Sequence, residues 1–265
     1  MRALIREKIQ LPVDYAKIGN GPKNLVILPG IALKSTVGSA DEIGKLFGLF
    51  RDYTIYLIDD RSRVRKGYGL KKRADDVARV LKNNHVTDAC VFGASMGGMV
   101  AQLLCLRHPE LVKKAVFAST SAQPASDMEA MKEASLSDWI RLADQAHLPE
   151  LIRSMNRLVY SPSTLSAFGE ILDAGPGPVS EAELEQFKLL ANAVLRYDGL
   201  DDLKKILCPV LVVGAKGDRL LGPGASEKLA SCGGFELFLY GDEYGHAVYD
   251  EAPDFRQRML DYFEA

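Results

Sequence analysis

Ser95 stands in Gly93-Ala94-Ser95-Met96-Gly97, between a strand-like run (Val86 to Phe92) and a helix-like run (Val100 to Arg107). A sharp strand-to-helix turn exposes a serine hydroxyl as a nucleophile, and glycines on either side remove Cβ atoms that would clash there. The pentapeptide alone specifies little: Gly224-Ala225-Ser226 repeats its first half but continues as Glu227-Lys228. An unaided serine is a poor nucleophile. It needs a base near neutrality, and the base needs a carboxylate to fix its tautomer and orientation. Pro209 to Gly214 is a continuous apolar run that reads as a buried parallel strand, and it leads through Ala215-Lys216-Gly217 into Asp218. A short helix (Ala225 to Ala230) and another strand (Phe235 to Tyr240) follow, and then a loop carrying His246. Ligands of doubly wound sheets bind outside the carboxyl ends of the strands. Ser95, Asp218 and His246 all fall there, in that chain order.

The run Gly93 to Val112 resembles the nucleophile elbow and following helix of the α/β-hydrolase superfamily. Gly245-His246 with Asp250 to Phe255 is similar to that family's histidine loop and final helix. The resemblance extends from about Asn24 onward, is weakest between Gln123 and Leu207, and is nearest to small esterases, lactonases and C–C hydrolases. It implies an α/β fold, a doubly wound mainly parallel sheet (the α/β-hydrolase fold) with an inserted helical cap. It also implies Ser95 as nucleophile, His246 as base and Asp218 as its orienting acid. The backbone N–H groups of Met96 and Ile31 are the expected oxyanion donors. Two departures stand out. Relatives commonly carry His-Gly where this chain has Pro29-Gly30, and a glycine-punctuated turn where it has the basic run Arg61-Ser62-Arg63-Val64-Arg65-Lys66.

The elements that must hold these residues alternate between strand and helix, which implies a mainly parallel sheet. An opening hairpin (Ala3 to Ile18) precedes a strand ending at Leu28. A helix within Ala40 to Leu49, a strand Tyr53 to Asp59 and a helix Lys72 to Lys82 lead to the elbow, and a strand Lys114 to Ser119 follows it. The alternation then stops. Helical patterns occupy Ser137 to Ala146, Pro149 to Leu158 and Glu181 to Tyr197, the last opened by a Ser180/Glu183 capping box after the breaker Gly175-Pro176-Gly177-Pro178. The expected division is a core of residues 1–122 and 208–265 with a helical cap of residues 123–207 over the site. Met128, Met131 and Met155 read most simply as core or cap packing and, as a sharper reading, as an adaptable apolar lining joined by Trp139 and Phe168, with Trp139 and Met128 the expected substrate contacts.

The balance of the chain argues against other classes. Its 265 residues are 47% hydrophobic and 26% charged with a net charge of −2, so no global field favours nucleic acid or an anionic membrane. No apolar run approaches about 18 residues and the first residues lack an uninterrupted apolar stretch, so a cytoplasmic protein is expected. Cys90, Cys105, Cys208 and Cys232 form no Cys-x-x-Cys pair and read as free thiols. Histidines 85, 108, 147 and 246 lack ligand spacing, so neither metal nor cofactor is expected. His108 reads as a partner for a helix C-terminus, and Asp127 is a fallback acid. The basic run reads as a solvated loop balanced by Asp59 and Asp60, with a collar for anionic substrates as its sharper reading. The expected partner is a small acyl substrate, and a homodimer stays open. The expected function is a serine hydrolase acting on a small ester, thioester or lactone. The alternatives are a C–C hydrolase or acyltransferase on the same triad, or a receptor that binds without turnover.

Overall fold

Seven strands pair into one sheet whose central members are buried on both faces between helices, while the edge strand Glu236–Tyr240 stays partly exposed. The computed structural model describes residues 13–61, 64–128 and 136–265. The strands are β1 (Val13–Ile18), β2 (Lys23–Leu28), β3 (Tyr53–Arg61), β4 (Ala89–Ala94), β5 (Val112–Ala118), β6 (Val210–Ala215) and β7 (Glu236–Tyr240), in the spatial order β1-β3-β2-β4-β5-β6-β7. β1 is antiparallel to β3, and every other pair is parallel. The first arm of the expected hairpin lies outside the described residues.

Successive residues of each central strand face opposite cores. Val26, Leu28, Val91, Phe117 and Val212 pack on one side with α2 (Leu70–Asn83), α3 (Met96–Arg107) and α8 (Gly224–Gly233). Leu25, Ile27, Phe92, Val116 and Val213 pack on the other with α1 (Ala40–Leu46), the short α9 (Val248–Glu251) and α10 (Phe255–Glu264), where Val248, Phe255, Met259 and Phe263 are buried. Burial on both faces explains why these strands read as continuous apolar runs.

Between β5 and β6 the described chain is helical: α4 (Leu136–Leu142), α5 (Leu148–Val159), α6 (Pro162–Asp173) and α7 (Glu181–Leu195). Trp139, Leu151, Phe187 and Leu190 of this insertion join the same core as α2 and α3. The Ser180/Glu183 capping box forms as expected. Helix α6 is absent from the sequence reading, although Ser161 caps it through Thr164 N–H and Pro162 occupies its first turn. Cys105 and Cys208 are free thiols with sulfurs 3.7 Å apart. Among the described residues, no helix is long and apolar enough to cross a membrane.

Candidate active site

The turn from β4 into α3 allows no residue between them but Ser95, whose backbone is driven to φ 53°, ψ −122°. A non-glycine residue there carries about 1–3 kcal/mol of strain. Its neighbours hold it: Ser95 N–H donates to Ala118 O at 2.9 Å, and Ser95 O accepts from Thr120 Oγ1 at 2.7 Å and Gly98 N–H at 2.9 Å. The flanking glycines are obligatory by contact. A Cβ on Gly93 would lie 2.4 Å from Gly97 O, and one on Gly97 would lie 2.0 Å from Leu28 O. The Ser95 side chain makes no capping hydrogen bond. It therefore does not serve as a helix cap, and it remains partly exposed among buried neighbours.

Asp218 lies just past β6, on a turn closed by its own N–H to Ala215 O at 3.2 Å. One carboxylate oxygen accepts the N–H groups of Leu220 and Leu221, each at 2.9 Å, which fixes the group's orientation. The other lies 2.8 Å from Nδ1 of His246, in the loop after β7. Both side chains are buried, with Asp218 6% and His246 1% exposed. A carboxylate only accepts, so Nδ1 carries the proton and the basic lone pair of neutral His246 sits on Nε2. Nε2 is buried and makes no hydrogen bond among the described residues.

Ser95 and His246 line one cavity of about 640 Å³. The loop after β2 contributes its polar wall through Lys34, Ser35, Thr36 and Ser39, and the insertion contributes an apolar wall through Trp139, Ile152, Met155 and Val159. No carboxylate lines it among the described residues. A recess of about 20 Å³ beside Ser95 is bounded by Ile31, Met96, Met99 and Trp139, so the two residues expected to supply oxyanion donors border one small space. Met96 opens α3, where a backbone N–H has no intrahelical acceptor.

The insertion is tied to the loops that carry Asp218 and His246. Ala247 N–H donates to Val159 O at 2.8 Å, Arg219 Nη2 donates to Tyr160 O at 2.6 Å, and Glu251 accepts from Ser161 N–H at 2.7 Å and Gly245 N–H at 2.6 Å. Nothing in the spacing of the sequence signals Glu251, because its role depends on two loops meeting.

Several expected contacts fall elsewhere. Met128 is buried in the shared core and is not among the residues lining the cavity. Phe168 is 55% exposed on the outside of α6, and Met131 lies outside the described residues. Met155 and Trp139 do line the cavity. Asp127 is exposed, and His246 bonds Asp218 instead. His108, at the end of α3, pairs with Asp75 at 3.0 Å.

Among the described residues, Arg61 of the basic run does not pair with the carboxylates beside it. Arg61 belongs to β3 and pairs with Asp76 of α2 at 2.6 and 2.8 Å. Asp59 accepts the N–H and hydroxyl of Thr36 at 2.6 and 3.1 Å, and Asp60 pairs with Arg73 at 2.9 Å. Buried carboxylates take the partners that reach them, and α2 supplies both Arg73 to Asp60 and Asp76 to Arg61. Arg65 and Lys66 are exposed and do not line the cavity; Arg63 lies outside the described residues.

The family model of the alpha/beta hydrolase fold matches residues 25–253. A putative carbamate hydrolase, RutD, of Serratia proteamaculans is 24% identical over 244 residues, covering 85% of this chain and 87% of its own. 3-Oxoadipate enol-lactonase 2 of Acinetobacter baylyi is 23% identical over 151 residues, 57% of this chain and 54% of its own. Among solved structures, MGS-M2, an alpha/beta hydrolase enzyme from a Medee basin deep-sea metagenome library, superposes with a TM-score of 0.82 at 20% identity, covering 99% of this chain and 98% of its own.

Proposed function

The chain belongs to the α/β-hydrolase fold family, and on that premise we propose that it is a serine hydrolase cleaving a small carboxylic ester, thioester or lactone. One observation carries this reading: a strained serine with no capping duty shares a cavity with a buried histidine whose far nitrogen is held by a buried carboxylate.

In the proposed reaction, the Ser95 hydroxyl attacks the acyl carbon and its proton passes to Nε2 of His246. Asp218 holds the imidazole and stabilises the imidazolium that forms. The oxyanion is met by the N–H groups of Met96 and Ile31, each such donor being worth about 3 kcal/mol in the barrier. His246 then returns its proton to the leaving alkoxide or thiolate, and takes one from the water that releases the acyl group from Ser95. The Ser95–His246 hydrogen bond is not formed in this structure. Such catalytic bonds commonly tighten only when substrate binds.

The insertion, residues 123–207, is proposed to act as the cap. Its apolar wall faces the polar loop wall across the cavity, which suits an acyl group with one apolar side. With Lys34 and no carboxylate in the lining, neutral and anionic substrates are favoured over cationic ones. A lactonase and a carbamate hydrolase among the relatives support hydrolysis of an activated acyl group. The test is a panel of aryl esters, thioesters, lactones and vinylogous diketones assayed side by side, with and without an alcohol acceptor. Fastest hydrolysis of an ester, thioester or lactone supports the reading. Preference for the diketone or for acyl transfer overturns it, and ligand-induced stabilisation without turnover would assign a receptor.

A further inference from the structure

Arg73 is an arginine on the buried face of α2, where Asp76 is the one other charged residue among apolar ones. It shares that face of α2 with Leu70, Ala74, Val77 and Leu81, and is 1% exposed. Its Nε lies 2.9 Å from Oδ1 of Asp60, which is also buried. Nη2 donates to the carbonyl of Pro29 at 3.4 Å, while Nε, Nη1 and Asp60 Oδ1 are buried and make no hydrogen bond among the described residues, so Arg73 and Asp60 meet as an ion pair only. Taking an ion pair out of water is costly, and replacing such a pair with well-packed apolar side chains is often neutral or stabilising. Stability gives little reason for this arginine.

Its contacts give a better one. Pro29-Gly30-Ile31 leads away from β2 past the nucleophile: a Cβ on Gly30 would lie 3.1 Å from that of Ser95. On one side this loop rests against α3, where Gly97 admits Leu28 O and Pro29 O closer than any Cβ would allow. Pro29 has no N–H and no polar side chain, so its carbonyl is the one polar group the residue itself offers. Arg73 takes it. Further along the same loop, Asp59 takes the N–H of Thr36. The adjacent carboxylates of β3 thus brace the loop at two points, Asp59 directly and Asp60 through Arg73.

We infer that Arg73, seated by Asp60, is a positioning residue for the oxyanion hole, holding the Pro29 carbonyl so that the Ile31 amide stays aimed at the tetrahedral oxyanion. The inference rests on the serine-hydrolase reading above. Relatives that commonly carry His-Gly have a polar side chain at the position of Pro29. In this chain the brace comes from α2 instead.

The test removes both charges together, as Arg73→Met with Asp60→Leu, because removing one leaves the other buried and unpaired. The expected result is a Tm equal to or above that of the wild type and a KM for p-nitrophenyl butyrate within about threefold. The expected kcat is lower by about ten- to a hundredfold, at or below the low end of the roughly 10²–10³ that follows outright loss of a donor. Affinity for an aryl boronic acid, which becomes tetrahedral on the serine, should fall in step with kcat/KM. A merely structural role would not produce that proportionality. If the double variant fails to fold, Arg73→Lys is read the same way, since it keeps the charge but carries one nitrogen where arginine has three. A folded variant with wild-type kcat and boronate affinity overturns the inference, as does a rise in KM at unchanged kcat. A wild-type protein that cleaves no ester and is not modified at Ser95 by a fluorophosphonate refutes the serine-hydrolase reading itself.

Discussion

Glu251 accepts the N–H of Ser161 through one carboxylate oxygen at 2.7 Å, while its other oxygen accepts the N–H of Gly245 at 2.6 Å. Ser161 opens α6 of the insertion and Gly245 precedes His246, so one side chain joins the roof of the cavity to the loop that carries the proposed base. The insertion is therefore fastened at the catalytic end of the sheet, and its apolar wall has a defined position relative to Ser95.

Replacing Glu251 with alanine leaves two backbone donors without their acceptor. Hydrogen bonds to charged groups contribute about 1.5–3 kcal/mol each, so a loss of about 3 kcal/mol or more is expected in urea unfolding. A fall in kcat should accompany it, because His246 loses its neighbour's restraint. Glu251→Gln keeps one acceptor oxygen and should recover part of both losses. Unchanged stability in Glu251→Ala would show that the bridge contributes nothing.

Ser95→Gly should stabilise the chain while abolishing activity. Glycine adopts φ 53° without the strain that serine carries there, and part of that relief is offset by its greater freedom when unfolded. A net gain of about 1 kcal/mol is expected, or roughly 2–4 °C in Tm for a chain of this size. A lower Tm would mean that the elbow is not strained in the way its dihedral angles indicate.

Stability should depend on pH through Asp60. Burial pushes its carboxyl up from 3.8 to about 6; Asp59 and Asp76 add to the rise, and Arg73 opposes it. Between those values the folded chain holds a proton that the unfolded chain has released. The stabilisation is therefore fully present below about pH 4 and is lost as pH rises through about 6, a change on the order of 3 kcal/mol. Asp60→Asn removes this dependence. The difference in Tm between wild type and variant should shift against the wild type from pH 4.5 to 6.5, and a difference independent of pH would contradict the assignment.

Much of the site was readable in the sequence because its chemistry sits in short segments beside strand ends. Ser95 and Asp218 each follow an apolar strand that the sheet buries, and His246 follows the half-exposed edge strand β7, so position along the chain predicts position in space. The contact of Gly93 with Gly97 is local and was equally legible, whereas that of Gly97 with Leu28 depends on the neighbouring strand. The side of the cavity formed by the insertion was legible only in part: Trp139 and Met155 line it, and Met128 and Phe168 do not. Met128 and Phe168 sit on helical or loop segments whose inward face is decided by packing against other helices. Helix α6 did carry a signal, a capping serine followed by proline at Ser161-Pro162. The partners of Asp59 and Asp60 depend on which loop and which helix meet β3, and neighbours in sequence are a poor guide to that.

The most direct test of the proposed chemistry is the steady-state hydrolysis of p-nitrophenyl esters from acetyl to long acyl chains by wild type and Ser95→Ala. Intact-mass spectra of both are read during turnover. The account predicts an acyl adduct on Ser95 in the wild type and none in the variant. It also predicts a loss on the order of 10⁶ in kcat, and a chain-length optimum that shortens when Met155, which lines the cavity, is replaced by tryptophan. Turnover by Ser95→Ala at a rate near that of the wild type, or an adduct on another residue, would contradict it.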